Sequence, residues 1–155
     1  MATSFKPPET RHLLKDLAVY AVHRELRPLY RPKETLRAPR RAWDFEPRAG
    51  LENLAQAVML RLLTPRGELA ALGHPEYGSR VHELIGRENT STQRNLLKLF
   101  ILEALQNEPR VAQVVELKVG PSPGLRSTVD VLLRVQPAQS EAVVSIGPFA
   151  IELGP

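Results

Sequence analysis

Residues 90–109 read Thr-Ser-Thr-Gln-Arg-Asn-Leu-Leu-Lys-Leu-Phe-Ile-Leu-Glu-Ala-Leu-Gln-Asn-Glu-Pro, and this stretch decides the fold. Thr90 and Gln93 have capping-box spacing just before a long apolar run, and Pro109 stops the helix near Asn107. Leu96, Leu97, Phe100, Ile101 and Ala104 share one broad face of that helix. Leu99, Leu102 and Leu105 form a second stripe at i, i+3, i+6 spacing. A helix apolar on both sides must be covered on both sides. Either the sheet and another helix sandwich it, or the second stripe meets another protein.

Downstream, the period changes from helical to two. Val111 to Val119 is rich in β-branched residues. From Leu125 to Val135 the alternation is clean, with Leu125, Ser127, Val129, Val131, Leu133 and Val135 facing one way. The linker Gly120-Pro121-Ser122-Pro123-Gly124 suits a hairpin. Val143 to Leu153 reads as a third strand. Its Pro148 cannot donate to a ladder, so the strand is expected to be an edge, or bent. An exposed edge needs protection or a partner.

Upstream, Leu51, Leu54, Ala55, Val58 and Leu62 make one apolar stripe, which predicts a helix over 50–63 with Pro65 past its end. Thr64 to Gly78 reads as a loop. Ser79 to Gly86 reads as a short helix capped by Ser79 and ended by Gly86. The expected architecture is therefore α+β, with three helices followed by a small antiparallel three-stranded sheet and a Pro-rich N-terminal arm.

That arm is residues 1–47, ahead of a domain at 48–155. Six of the 14 prolines (Pro7, Pro8, Pro28, Pro32, Pro39 and Pro47) lie in the first 49 residues. Leu13 to Leu26 fits a helical stripe, while Leu17 to Val22 fits a buried strand equally well. From Pro28 to Pro47 an extended arm or long loop is expected rather than regular structure. Trp43 and Phe45 lie within it, and such aromatics dock either on their own domain or on a partner.

The 155 residues carry 21 basic and 17 acidic groups, a net charge of +4. Residues 1–49 hold 11 basic and 6 acidic groups, so the basic excess is N-terminal. Acidic residues interrupt the basic run, so nucleic acid is not the expected partner. The absence of cysteine excludes disulfides, thiolate metal sites and a cysteine nucleophile. No apolar run is long enough for a bilayer, and no membrane role is expected. A soluble protein made in the cytoplasm is the expectation.

Chemistry-bearing motifs are scarce. There is no phosphate loop, dinucleotide fingerprint or nucleophile elbow. The histidines, at 12, 23, 74 and 82, lack zinc-type spacing, although His74 and His82 flank one loop. Glu68, Glu76 and Glu83 surround the same loop, without the specific spacing of a glycosidase pair. The residues favour an interaction module over an enzyme, and no cofactor is expected.

Several stretches taken in order carry a resemblance. They are Gly50-Leu51-Glu52-Asn53-Leu54-Ala55-Gln56-Ala57, Leu62-Leu63-Thr64-Pro65-Arg66-Gly67-Glu68, His74-Pro75-Glu76-Tyr77-Gly78-Ser79-Arg80, Glu83-Leu84-Ile85-Gly86, Glu103-Ala104-Leu105 and Glu108-Pro109-Arg110-Val111. The set, spanning about residues 48–153, resembles the baseplate wedge proteins related to gene product 25 of T4-type phages and protein W of P2-type phages. The resemblance implies a structural part of a contractile injection system, whether phage tail, type VI secretion system or extracellular particle. It implies assembly in the cytoplasm and a final place in the inner baseplate. The implied partners are the sheath protein and other wedge proteins, with the tube or hub a further candidate. The implied role is to nucleate the first sheath ring.

Sheath subunits in such machines are stitched by donated strands, which is β-augmentation. The expected contact residues are therefore Val129, Val131, Val144, Ile146, Phe149 and Ile151 in the C-terminal strands. Leu99, Leu102 and Leu105 on the second helix stripe are added to them. Glu108 and Arg110 have two readings, a helix stop with Arg110 on the last carbonyls, or a charged contact to the wedge or sheath. The family has also carried a lysozyme label, so a peptidoglycan-hydrolysing baseplate enzyme is the alternative.

Overall fold

The computed structural model describes residues 13–24, 27–37 and 42–154. The chain forms two compact units, Met1–Gln56 and Ala57–Pro155. His12, Pro7, Pro8 and Pro39 lie outside the described residues.

Among its described residues the first unit holds six short strands in three two-stranded antiparallel ribbons. β1 (Lys15–Leu17) pairs with β6 (Pro47–Ala49). β2 (Val19–Arg24) pairs with β3 (Arg27–Pro32), and β4 (Glu34–Arg37) pairs with β5 (Ala42–Phe45). The expectation of an irregular arm over 28–47 is therefore corrected. A two-stranded ribbon leaves one edge of each strand unpaired, so a proline there loses no ladder bond. Pro28 and Pro32 are four residues apart on β3, which puts their missing N–H groups on the same edge. Pro47 is the first residue of its strand.

Helix α1 (Leu51–Leu63) begins in this unit. Its Asn53 and Gln56 side chains bond to the main chain of the preceding segment. Asn53 Nδ2 donates to Leu13 O at 3.0 Å. Gln56 Nε2 donates to Leu17 O at 2.8 Å, and Gln56 Oε1 accepts from Val19 N at 3.0 Å. Leu13, Ala18 and Leu54 are fully buried around these bonds.

The second unit contains the rest of α1, helix α2 (Ser91–Gln106) and a sheet in the order β7 (Val111–Pro121), β8 (Thr128–Pro137), β9 (Val144–Glu152). α2 begins where its cap demands: Thr90 Oγ1 accepts from Gln93 N at 3.2 Å. The return bond of a capping box is absent, since the buried Oε1 of Gln93 has no partner and Thr90 N donates to Glu88 O. Leu97, Phe100, Ile101, Ala104 and Leu105 are buried, and α2 packs on β7. Val129, Val131, Leu133 and Val135 of β8 are fully buried, as the alternation requires.

The structure overturns the count of three helices. Two α-helices are present among the described residues, and Ser79–Gly86 holds only a 3-10 turn, Val81–Leu84. Both ends of that segment are pinned. Ser79 forms a bridge with Pro65, and Gly86 N–H donates to Leu153 O. The few residues between fit a 3-10 turn and not an α-helix. Besides the three-stranded sheet, the described residues hold three two-stranded ribbons where an extended arm or long loop was expected.

β8 starts at Thr128, not Leu125. Turn bonds Leu125 N to Ser122 O and Thr128 N to Leu125 O hold that segment out of the ladder and leave Leu125 exposed. β9 is an edge strand, and its register with β8 slips between Val131 and Leu133, opposite Gly147 and Pro148. Val144, Ile146 and Leu153 of the C-terminal segment are buried in the core. Among the described residues no helix is long and apolar enough to cross a membrane.

Candidate functional site

Most of the sequence motifs converge on the loop between α1 and α2. Leu62–Glu68 and His74–Arg80 lie against each other through main-chain bonds: Ser79 N to Thr64 O at 2.8 Å, Arg66 N to Ser79 O at 2.9 Å, and Gly67 N to Tyr77 O at 3.3 Å. Gly78 makes this possible. Its φ is +106°, and a Cβ there would sit 2.5 Å from Thr64 O. Ser79 is buried and serves twice, with Oγ donating to Leu62 O at 2.6 Å and accepting from Val81 N at 3.2 Å.

Charged side chains tie the loop to α2. Arg66 bonds both Glu76 and Glu103. Arg80 holds Glu83 with bonds of 2.8 and 2.9 Å, and its guanidinium lies 4.4 Å from the Phe100 ring centre. The hydrogen bond and charge of Arg80 hold the Glu83 carboxyl below its ordinary range. Of the acids considered for catalysis, Glu76 and Glu83 are thus committed to arginines, and Glu68 is exposed. Among the described residues, no three His, Asp or Glu side chains cluster as a metal site would need. His82 Nδ1 sits 3.2 Å from Ser79 O.

Glu108 is the most buried acid among the described residues, at 3% exposure. Its carboxylate accepts from Arg110 Nε at 2.6 Å and from Arg61 Nε at 3.3 Å. The Arg61 guanidinium also covers the Tyr77 ring at 4.5 Å. Burial pushes the Glu108 pKa up. The Arg110 hydrogen bonds and the charges of Arg110 and Arg61 outweigh it, and the carboxyl is held below the ordinary glutamate range. Arg110 thus grips the carboxylate two residues before it. Arg61 was missed in the sequence, although it follows Leu54 by seven and Val58 by three residues, so a charge stands on an apolar stripe.

The other expected contact residues are dispersed. Leu105 is buried, Leu102 is half-buried and Leu99 is exposed, so the second stripe is not one continuous surface. Val129 and Val131 are wholly interior, Val144 and Ile146 are buried, and Phe149 and Ile151 are half-buried.

The main chain of β9 offers what those side chains do not. Leu153 N donates to Ser127 O at 2.8 Å, one step beyond the Thr128–Glu152 pair. In an antiparallel ladder, bonded and non-bonded pairs alternate. Residues 149, 151 and 153 therefore bond towards β8, and Ala150 and Glu152 turn their N–H and C=O groups to the outer edge. Among the described residues no strand pairs with that edge. The outer edge of β7 is less regular, with two register shifts and Lys118 and Pro121 along it, features that discourage strand addition.

No protein-family model matches the chain, and no curated protein matches it. A solved structure does: a Geobacter sulfurreducens protein described as a candidate tail lysozyme. The TM-score is 0.56 at 18% identity, over 67% of this chain and 91% of that one. At this identity the likeness is one of fold.

Proposed function

We propose that the protein is a structural baseplate component of a contractile injection system, which binds wedge proteins and nucleates the sheath by strand pairing. The observation that carries this reading is the open outer edge of β9 at Ala150 and Glu152. Main-chain groups facing outward on a regular strand are the requirement for β-augmentation. The ordered motifs of residues 48–153 and the fold shared with a protein described as a candidate tail lysozyme support the tail setting. Glu108, Arg61 and Arg110 act in this reading as an internal brace that fixes the start of β7 against α1. Co-expression with sheath and wedge proteins from the same genome, followed by affinity purification and electron microscopy, tests the reading. A stoichiometric wedge complex or sheath rings are expected, and a well-folded protein that binds none of them would sink it.

A second reading, peptidoglycan hydrolysis, draws on the description of that structural neighbour. A glycosidase needs a carboxyl group kept protonated beside an ionised one. Glu83 and Glu108 are instead held ionised by arginines. Clearing of purified peptidoglycan by the protein alone, abolished by one Glu→Gln change, would establish this reading in place of the first.

A further inference from the structure

Among the described residues of the second unit, Arg61, Arg66, Arg80, Arg110 and Arg134 each lie within ion-pair distance of a glutamate. Arg87, Arg94 and Arg126 do not. Arg94 and Arg126 line one open depression of about 530 Å³, together with Asn89, Pro121 and Leu125. No aspartate or glutamate lines it. Arg94 is half-buried, and a charge partly withdrawn from water costs free energy until an opposite charge compensates it.

Asn89 builds the site. Its Nδ2 donates to Arg126 O at 2.9 Å and to Thr128 O at 3.3 Å, while its O and Oδ1 accept from Arg94 Nη1 at 3.1 and 2.8 Å. One residue thus joins the first turn of α2 to the connection between β7 and β8. Turn bonds fix that connection, Ser122 N to Thr128 O at 3.0 Å and Leu125 N to Ser122 O at 3.2 Å. Both bonds of Arg94 use Nη1, so its Nε and Nη2 donors meet no acceptor among the described residues. Two neighbouring guanidinium donors are the fork that takes a carboxylate. Beside them Leu125 is 56% exposed.

We propose that this depression docks an acidic segment of a protein partner, with a carboxylate gripped by Arg94 and Arg126 and an adjoining apolar side chain resting on Leu125 and Pro121. Charge complementarity selects the occupant. The nearest acid in the chain, Glu88, is offset by its neighbour Arg87. Asp130 and Glu152 stand on the sheet face away from the buried Val129 and Val131. Nucleic acid fits less well. Residues 57–155 hold 10 basic and 10 acidic groups, so the unit offers no basic field to a run of phosphates.

The full-length, isotope-labelled protein is titrated by nuclear magnetic resonance with the capped peptide Ser-Leu-Glu-Leu-Glu-Ser. The same peptide with Gln for Glu, inorganic phosphate and single-stranded oligothymidylate are titrated in parallel. Saturable shifts at the Arg94 Nε–H and at the amides of residues 122–126 are expected with the acidic peptide alone. Arg126 donates no side-chain bond among the described residues, so Arg126→Gln keeps the fold, and it should weaken peptide binding roughly tenfold. Leu125→Ser should weaken it as well. No saturable shift up to millimolar peptide, equal binding of the Gln peptide, tighter binding of phosphate or oligothymidylate, or unchanged affinity of Arg126→Gln overturns the proposal. A protein that nucleates sheath but takes no peptide would sink this docking alone. One that takes the peptide but binds no sheath or wedge protein would sink the baseplate role alone.

Discussion

Arg61 and Glu108 stand 47 residues apart in the chain and meet at 3.3 Å, with side chains only 9% and 3% exposed. The contact joins the last turns of α1 to the turn that launches β7. Arg110 completes it from the other side of the carboxylate.

Removing the acid from such a buried pair leaves the arginine charge uncompensated. Glu108→Ala leaves Arg61 buried without its acid, and we expect a loss of about 3–5 kcal/mol. Urea denaturation followed by circular dichroism measures it. A loss below 1 kcal/mol, on the order of an exposed pair, would show that the brace is not structural.

The same carboxylate sets a pH dependence. Its folded pKa lies below the unfolded one, so the unfolded state binds a proton first as pH falls. The stabilisation is full above the ordinary glutamate value of about 4.3 and disappears as pH drops through the lowered folded value. The melting-temperature gap between wild type and Glu108→Gln should therefore be constant near neutrality and shrink below that value. A gap that widens in acid would contradict the assignment.

Gly78 separates close approach from mere positive φ. Gly78→Ala meets Thr64 O at 2.5 Å and a φ of +106°, whereas Gly73→Ala meets nothing within 4 Å at a φ of +85°. Backbone strain alone costs roughly 1–3 kcal/mol. The Gly78 variant should exceed the Gly73 variant in urea sensitivity by a clear margin. Equal effects would mean that the loop pairing yields without cost.

Gln56 holds two main-chain groups of the N-terminal segment. Gln56→Ala leaves Leu17 O and Val19 N without this partner, and since Leu17 is exposed and Val19 half-buried the loss should be about 1 kcal/mol, the low end for an unsatisfied group. Amide exchange at Val19 should accelerate, while exchange in α2 and β8 stays slow. Unchanged exchange at Val19 would show that the ribbon is held by other contacts.

Local signals were legible where one segment decided its own state. The Thr90 cap, the Pro109 stop and the period-two run ending at Val135 each specify their element from within. The ribbons were not, because Pro28, Pro32 and Pro47 argue against strands unless the unpaired edges are known, and edges are a property of the partner strand. The segment after Ser79 carried helix signals, but tertiary bonds at both ends shortened it to one turn. Within the site, Glu108 and Arg110 were singled out by sequence, while their partner Arg61 was hidden by distance along the chain. The C-terminal strands were expected to pair with strands of a partner. Their interior residues face the core, and it is the main chain of Ala150 and Glu152 that faces outward.

That edge gives the most direct test. Ala150→Pro removes one outward N–H, while the inward bonds of residues 149, 151 and 153 remain. Purified wild-type and variant proteins, matched for fold by circular dichroism, are mixed with the sheath protein and inspected by negative-stain electron microscopy. The account predicts sheath rings on wild-type complexes and none on the variant. Sheath that polymerises equally on both would contradict strand addition at β9.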